Sequence, residues 1–279
     1  MVGYHSDCAL CVLYRGRPVV SGAALITGGA DRLGAEMARY VARRGMDVAV
    51  HYYSSATKAK ALVEELCALG VRAVALQADL LDERQTEALV AKASEGLDAR
   101  LSLLVNNASI FEHDTIRTGT RDSWDRHMES NLRAPFVLTQ SFAAQVPEAG
   151  RDERGEPKAA ALVVNMVDQR VRKLTPEFAS YTIAKMGLWA LTRTAAQALA
   201  PDVRVNAIGP GPTLIGAHQS EAHFARQREN TVLTRGSNKE DIAAALGYFL
   251  DAPAVTGQLL CVDGGQHLGW QTPDILGLE

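Results

Sequence analysis

The chain has 279 residues, 47% of them hydrophobic, which is enough for one large α/β domain with a well-buried core. Its 29 basic and 32 acidic residues leave a formal net charge of -3, so nothing points to nucleic acid or an anionic membrane as partner, and a small molecule fits better. Four scattered cysteines make no disulfide framework in a chain this long, so a reducing compartment, the cytoplasm, is expected.

The first twenty-two residues have no early basic run, and their apolar stretch is too short to span a bilayer. They read as an N-terminal extension. Cys8 and Cys11 within it have metal-ligand spacing, but no second pair follows and a structural zinc takes four ligands, so no metal is expected.

From Ala23 onward, short apolar or β-branched runs at 23–27, 47–51, 72–77, 102–106, 160–166, 203–208 and 258–262 read as strands. Helical periodicity fills 32–44, 57–69, 82–95, 121–145, 180–200 and 239–250, and Gly45 and Gly70 stand where helix stops usually sit. This alternation predicts a single Rossmann-type domain over 23–279: a doubly wound, parallel, seven-stranded sheet with helices on both faces. The charged, Gly- and Pro-containing stretch 147–158 reads as an exposed inserted loop. The irregular stretch at about 212–236, with a helix inside it, follows the carboxyl end of a strand and reads as a substrate flap.

TGGADRLG (27–34) joins the first strand to the first helix, where free backbone N–H groups and the helix dipole attract phosphate. Gly28 and Gly34 allow a tight turn and close approach, and Arg32 stands where a third glycine would be expected. The second strand ends in His51, Tyr52, Tyr53, Ser54 and Ser55, without the carboxylate that favours NAD. His51, Ser54, Ser55, Arg32 and Lys58 can bond to a 2′-phosphate, so the segment reads either as an NADP site or as a plain polar turn. SYTIAK (180–185) puts Tyr181 and Lys185 on one helix face, where the ammonium favours tyrosinate and makes the phenol a workable acid/base.

TGGADRLG, NNAS (106–109), Asn131, Tyr181 with Lys185, and GPGPT (209–213) occur in an order and spacing that resemble the short-chain dehydrogenase/reductase family, over about 23–266. The resemblance implies that NADPH is held by Gly28, Arg32, Leu33 and Gly34, with Asp79 and Leu80 at its adenine and Asn107, Ala108 and Ser109 behind it. By the same likeness Lys185 holds the nicotinamide ribose and Asn131 binds a water linking Lys185 to solvent. Pro210, Gly211 and Thr213 close over the nicotinamide.

Two departures narrow the likeness. Asp168 stands thirteen residues before the tyrosine, where most members have serine, and Arg32 replaces a usual glycine. With HYYSS (51–55), LVNNASIF (104–111) and the inserted loop, these make the chain resemble the pteridine reductases, relatives of the dihydromonapterin reductases. In that subfamily the pterin stacks between nicotinamide and an aromatic ring at the position of Phe111. Ser109 and Arg32 bond to pterin and cofactor phosphate, and Asp168 works with Tyr181. The arginine that some pteridine reductases carry at the position of Ser54 is absent.

The resemblance thus implies NADPH-dependent reduction of a pteridine such as dihydrobiopterin or dihydromonapterin, with dihydrofolate a further substrate, by a homotetramer without nucleic-acid or membrane partners. Two other readings stay open. One is a carbonyl reductase, against which Asp168 argues because a ketone oxyanion needs a donor and an ionised carboxylate only accepts. The other is a silent NADP-binding sensor, against which Tyr181, Lys185 and Asn131 argue. Taken alone, Phe111 also reads as a core residue after a strand, and Asp168 as a structural hydrogen-bonder.

Overall fold

A computed structural model describes residues 22–216 and 219–270. The N-terminal extension up to residue 21, with Cys8 and Cys11, and flap residues 217 and 218 lie outside the described residues.

AALI forms β1 (Ala23–Ile26), buried at every residue, as an interior strand covered on both faces must be. The chain then winds through α1 (Arg32–Ala42), β2 (Asp47–Tyr52), α2 (Ala56–Ala68), β3 (Ala73–Gln77), α3 (Glu83–Leu97) and β4 (Leu101–Asn106). After α4 (Arg121–Met128) and α5 (Ala134–Gln145) come a short ribbon, β5 (Gly150–Arg151) and β6 (Pro157–Lys158), and then β7 (Ala161–Met166). The last third holds α6 (Ala179–Ala198), β8 (Val203–Pro210), α7 (Glu221–Glu229), α8 (Lys239–Asp251) and β9 (Leu259–Val262).

The main sheet has seven strands in the order β3-β2-β1-β4-β7-β8-β9, every neighbouring pair parallel. Two apolar cores lie on its two faces. One packs Met37, Tyr40, Leu62, Leu66, Leu246 and Phe249 from α1, α2 and α8. The other packs Leu89, Leu97, Leu138, Phe142 and Ala195 from α3, α5 and α6. Strand order reverses between β1 and β4, and the crevice beyond their carboxyl ends is where open α/β sheets bind ligands.

Three expectations change. The helix expected over 121–145 is interrupted by a π-helical turn, Glu129–Arg133, which inserts extra backbone at Asn131; periodicity is blind to such a turn because both flanking helices keep their apolar faces. The loop at 147–158 folds back on itself as the β5–β6 ribbon. Strand β8 runs on to Pro210, so the first two residues of the GPG segment pair with Cys261 and Val262 of β9. Among the described residues, no helix is long and apolar enough to cross a membrane.

Candidate active site

The crevice is built first by the turn between β1 and α1. Gly28 sits at φ +58, a conformation glycine adopts without a Cβ clash, and a Cβ on Gly34 would stand 2.2 Å from the Gly28 carbonyl oxygen. Asn107, beyond β4, holds the turn by donating its amide to the carbonyls of Thr27 and Gly28 at 2.8 and 3.1 Å. The N-terminal turn of α1 faces a cleft of about 500 Å³ whose walls include Gly28, Arg32, Leu33, Gly34, Asp79, Leu80, Asn107, Ala108 and Ser109. Sequence-distant residues expected at one cofactor site are thus brought together.

Arg32 explains the missing glycine. Its φ is +52, a left-handed conformation that costs a non-glycine residue about 1–2 kcal/mol. The guanidinium spans to the flap, donating to the carbonyls of Ile215 at 3.1 Å and Leu214 at 3.5 Å.

His51 requires a correction. Its Nδ1 accepts the Gly28 N–H at 3.0 Å, which leaves Nε2–H to donate to the Ala78 carbonyl at 3.1 Å. Burial lowers its pKa to about 4, so the ring is neutral and both nitrogens are committed. His51 shapes the cradle instead of binding phosphate. Ser54 and Ser55 lie at the start of α2, their hydroxyls without hydrogen-bond partners among the described residues, while Tyr53 takes the cleft wall. Lys58 is paired with Asp31.

The chemical groups come from α6 and from the turn after β7. Tyr181 O–H donates to Asp168 Oδ2 at 2.9 Å, while Asp168 Oδ1 accepts the Arg170 N–H at 2.7 Å and so caps the turn Gln169–Arg172. Lys185 Nζ lies 5.6 Å from the Tyr181 ring centroid and donates to the Met166 carbonyl at 2.7 Å. Burial lowers its pKa to about 8.

The expected tyrosinate is also corrected. Burial and the facing Asp168 carboxylate push the Tyr181 phenol well above its usual pKa, and the Arg170 charge and the Ser109 hydroxyl oppose this only in part. Burial is the larger cause and Asp168 adds to it; the Asp168 pKa is itself raised by burial against the bonds from Arg170 and Tyr181. Tyr181 is therefore a proton donor at rest.

Phe111 stands at the mouth, 53% exposed, edge-on to Tyr181 with centroids 4.7 Å apart and stacked on Phe178 at 4.2 Å. It is not the core residue that its position after a strand allowed. Asn131, expected by the resemblance to bind a water, is 0% exposed, and its side chain is engaged by the backbone. Its amide donates to the Ile110 carbonyl and accepts the Ile110 N–H, both at 2.9 Å, bracing the loop that carries Ser109 and Phe111. Pro210 ends β8 and Gly211 and Thr213 follow it, all three outside the walls of the cleft, and the Thr213 hydroxyl is taken up by Ser237 at 2.5 Å.

Several site residues escaped the sequence: Phe178 under Phe111, Arg126 on the cleft wall, and a buried set of Asp114, His127 and Ser180 beside Tyr181. No local spacing relates them. Only the capping pattern Thr120–Ser123 hinted at a helix start near His127.

The family model described as Enoyl-(Acyl carrier protein) reductase matches residues 28–267, which takes in every site residue above. The chain belongs to the short-chain dehydrogenase/reductase superfamily. Among solved structures it is similar to FolM alternative dihydrofolate reductase 1 from Brucella canis, complexed with NADP, with TM-score 0.83 and 40% identity over 93% of this chain and 100% of that one. The same-named protein from Brucella suis, also in complex with NADP, has TM-score 0.84 and 40% identity over 91% and 98%. A 3-oxoacyl-(acyl-carrier-protein) reductase from Staphylococcus aureus is 31% identical over 88% of this chain and 98% of its own length. Within this superfamily the seven-stranded parallel sheet and the Tyr181–Lys185 pair on α6 are the expected frame, and Asp168 is a departure that adds to burial in raising the Tyr181 pKa.

Proposed function

We propose that the chain is an NADPH-dependent reductase that saturates a C=N bond of a pteridine, a dihydropterin or dihydrofolate, with Tyr181 as proton donor. The observation that carries this reading is the juxtaposition of the half-exposed Phe111 ring with a phenol whose partner is the Asp168 carboxylate. A planar heteroaromatic ring suits the first, and a nitrogen that receives a proton suits the second. The similarity to the two Brucella proteins supports it.

The cradle fits a dinucleotide. The α1 N-terminus faces the cleft, and the end of β2 has no carboxylate to repel a 2′-phosphate; Asp31 on the cleft wall is neutralised by Lys58. Gly28, Arg32, Leu33 and Gly34 would hold the phosphates, Ser54, Ser55 and Lys58 the 2′-phosphate, Asp79 and Leu80 the adenine, and Lys185 the nicotinamide ribose. When bound, NADPH supplies the hydride that the imine carbon receives.

The chain's own residues manage the proton. Tyr181 gives its O–H proton to the adjacent nitrogen, and the new tyrosinate is steadied by the Lys185 ammonium. An ionised Asp168 would repel that tyrosinate, so the productive form is the protonated acid, which reverses the hydrogen bond and returns a proton to Tyr181. Burial raises the Asp168 pKa in the required direction. Ser109 and Arg32 would bond to the polar edge of the ring. Exposed Phe136, Ile183 and Met186 on α5 and α6 support assembly as a homotetramer, which solution scattering would test.

The second reading, a keto reductase, draws support from the Staphylococcus aureus relative, and the objection that Asp168 only accepts lapses where Asp168 is the protonated acid. A turnover assay with NADPH against dihydrobiopterin, dihydromonapterin, dihydrofolate and simple ketones decides between them. Reduction of ketones with no turnover of any pteridine would sink the first reading.

A further inference from the structure

Helix α6 carries Tyr181 but begins on a residue that cannot cap it. Phe178 at the N-cap has φ +59, and its side chain makes no capping hydrogen bond. The acceptors come instead from Asp114, on the loop that also carries Ser109 and Phe111. Its backbone carbonyl accepts the Ala179 N–H at 3.2 Å, and Oδ1 accepts the Ser180 N–H at 3.1 Å. The other oxygen, Oδ2, accepts the Ser180 hydroxyl and, at 3.1 Å, the Ser123 hydroxyl. A carboxylate at a helix N-terminus also meets the positive end of the dipole.

These bonds continue into a chain with one direction. Glu112 N–H donates to His127 Nε2 at 3.1 Å, so that nitrogen carries no proton. Nδ1–H then donates to Ser180 Oγ at 2.7 Å, and the Ser180 hydroxyl donates to Asp114. Asp114 is 3% exposed and His127 fully buried, so each link is shielded from competing water. Both ends of the chain lie on the Phe111 loop, and its middle, Ser180, is the residue before Tyr181.

We propose that Asp114 is a positioning residue for the reduction: by capping α6 from the substrate loop, and closing the loop through Ser180 and His127, it sets Phe111 and the Tyr181 phenol in register. The proposal rests on Tyr181 as the proton donor, not on the substrate being a pteridine. An acceptor-only group is required at this end. An amide in its place would present NH₂ to two hydroxyls, and reversing the Ser180 bond would force His127 into the tautomer that opposes the Glu112 N–H.

The test compares Asp114→Asn and Ser180→Ala with the native chain, using whichever substrate the panel shows to be reduced. The expected result is a kcat lower by about ten- to a hundredfold, the cost of a small misplacement of reacting groups, with NADPH affinity by titration calorimetry unchanged within about twofold. Ser180→Thr, which keeps the hydroxyl, should recover most of the rate. In ¹⁵N spectra the His127 ring should be the Nδ1–H tautomer in the native chain and lose it in Asp114→Asn. Native kcat in Asp114→Asn, or a loss of NADPH affinity in proportion to kcat, would overturn the proposal. Hydrogen exchange of the native chain gives an arm independent of variants and of turnover. Residues 110–114 and 179–183 should open as one unit, and separate opening would equally overturn it. A chain that reduced no pteridine would undo the proposed function alone.

Discussion

The phenol of Tyr181 donates to the carboxylate of Asp168 across 2.9 Å, so the proposed proton donor is paired with a group that disfavours its conjugate base. The pair therefore works best with Asp168 protonated, and its pKa is displaced upward by burial. Raising the pH removes that proton, so kcat should fall with rising pH along a limb lying above the ordinary carboxylate range. Asp168→Asn, which stays neutral, should lose this limb and keep only a decline near the Lys185 pKa of about 8. Tyr181→Phe should lower kcat by about 10²–10⁴-fold while NADPH still binds. Rate profiles of the three proteins check both statements.

Cofactor choice follows from the end of β2. We expect NADPH to exceed NADH by at least about tenfold in kcat/KM, about 1.4 kcal/mol. Ser55→Asp places a carboxylate beside the 2′-phosphate without removing a capping bond, since Ser55 makes none. That variant should narrow or reverse the preference in steady-state assays with both nucleotides.

His51 makes the cradle sensitive to acid. The buried, neutral ring has a folded-state pKa near 4 against 6.5 when unfolded, so between these values the unfolded chain binds more protons and stability falls as the pH falls. The loss from this group between pH 7 and 4 is about 3 kcal/mol, most of it below pH 6.5. Protonation at Nδ1 in the folded chain also breaks the bond from Gly28 N–H, so NADPH affinity should weaken only as the pH approaches 4. Urea unfolding of the native chain and of His51→Gln at pH 7 and 5 should show a smaller pH effect in the variant.

Phe111 presents an open aromatic surface beside the phenol. Stacking of a flat ring there is worth about 1–3 kcal/mol, so Phe111→Ala should raise the pteridine KM by about ten- to a hundredfold. The KM for NADPH should barely change. Steady-state kinetics with both substrates varied would show the split.

The strand-and-helix alternation, the cradle at Gly28 and Gly34 and the Tyr181–Lys185 pair were legible in the sequence because each depends on residues a few positions apart, within the period of one strand, turn or helix. Asp168 and Arg32 also stood out as departures from a familiar pattern. What they do was decided by tertiary structure. Tyr181 keeps its proton because folding buries it against a carboxylate from another strand end, and His51 leaves the phosphate site because Gly28 and Ala78 claim both its nitrogens. Asn131 turns to Ile110 through a π-helical turn that leaves the apolar periodicity intact, and Asp114 caps a helix sixty-six residues further along the chain. Desolvation and hydrogen-bond partnership depend on which distant groups the fold brings together, and local periodicity carries no record of them.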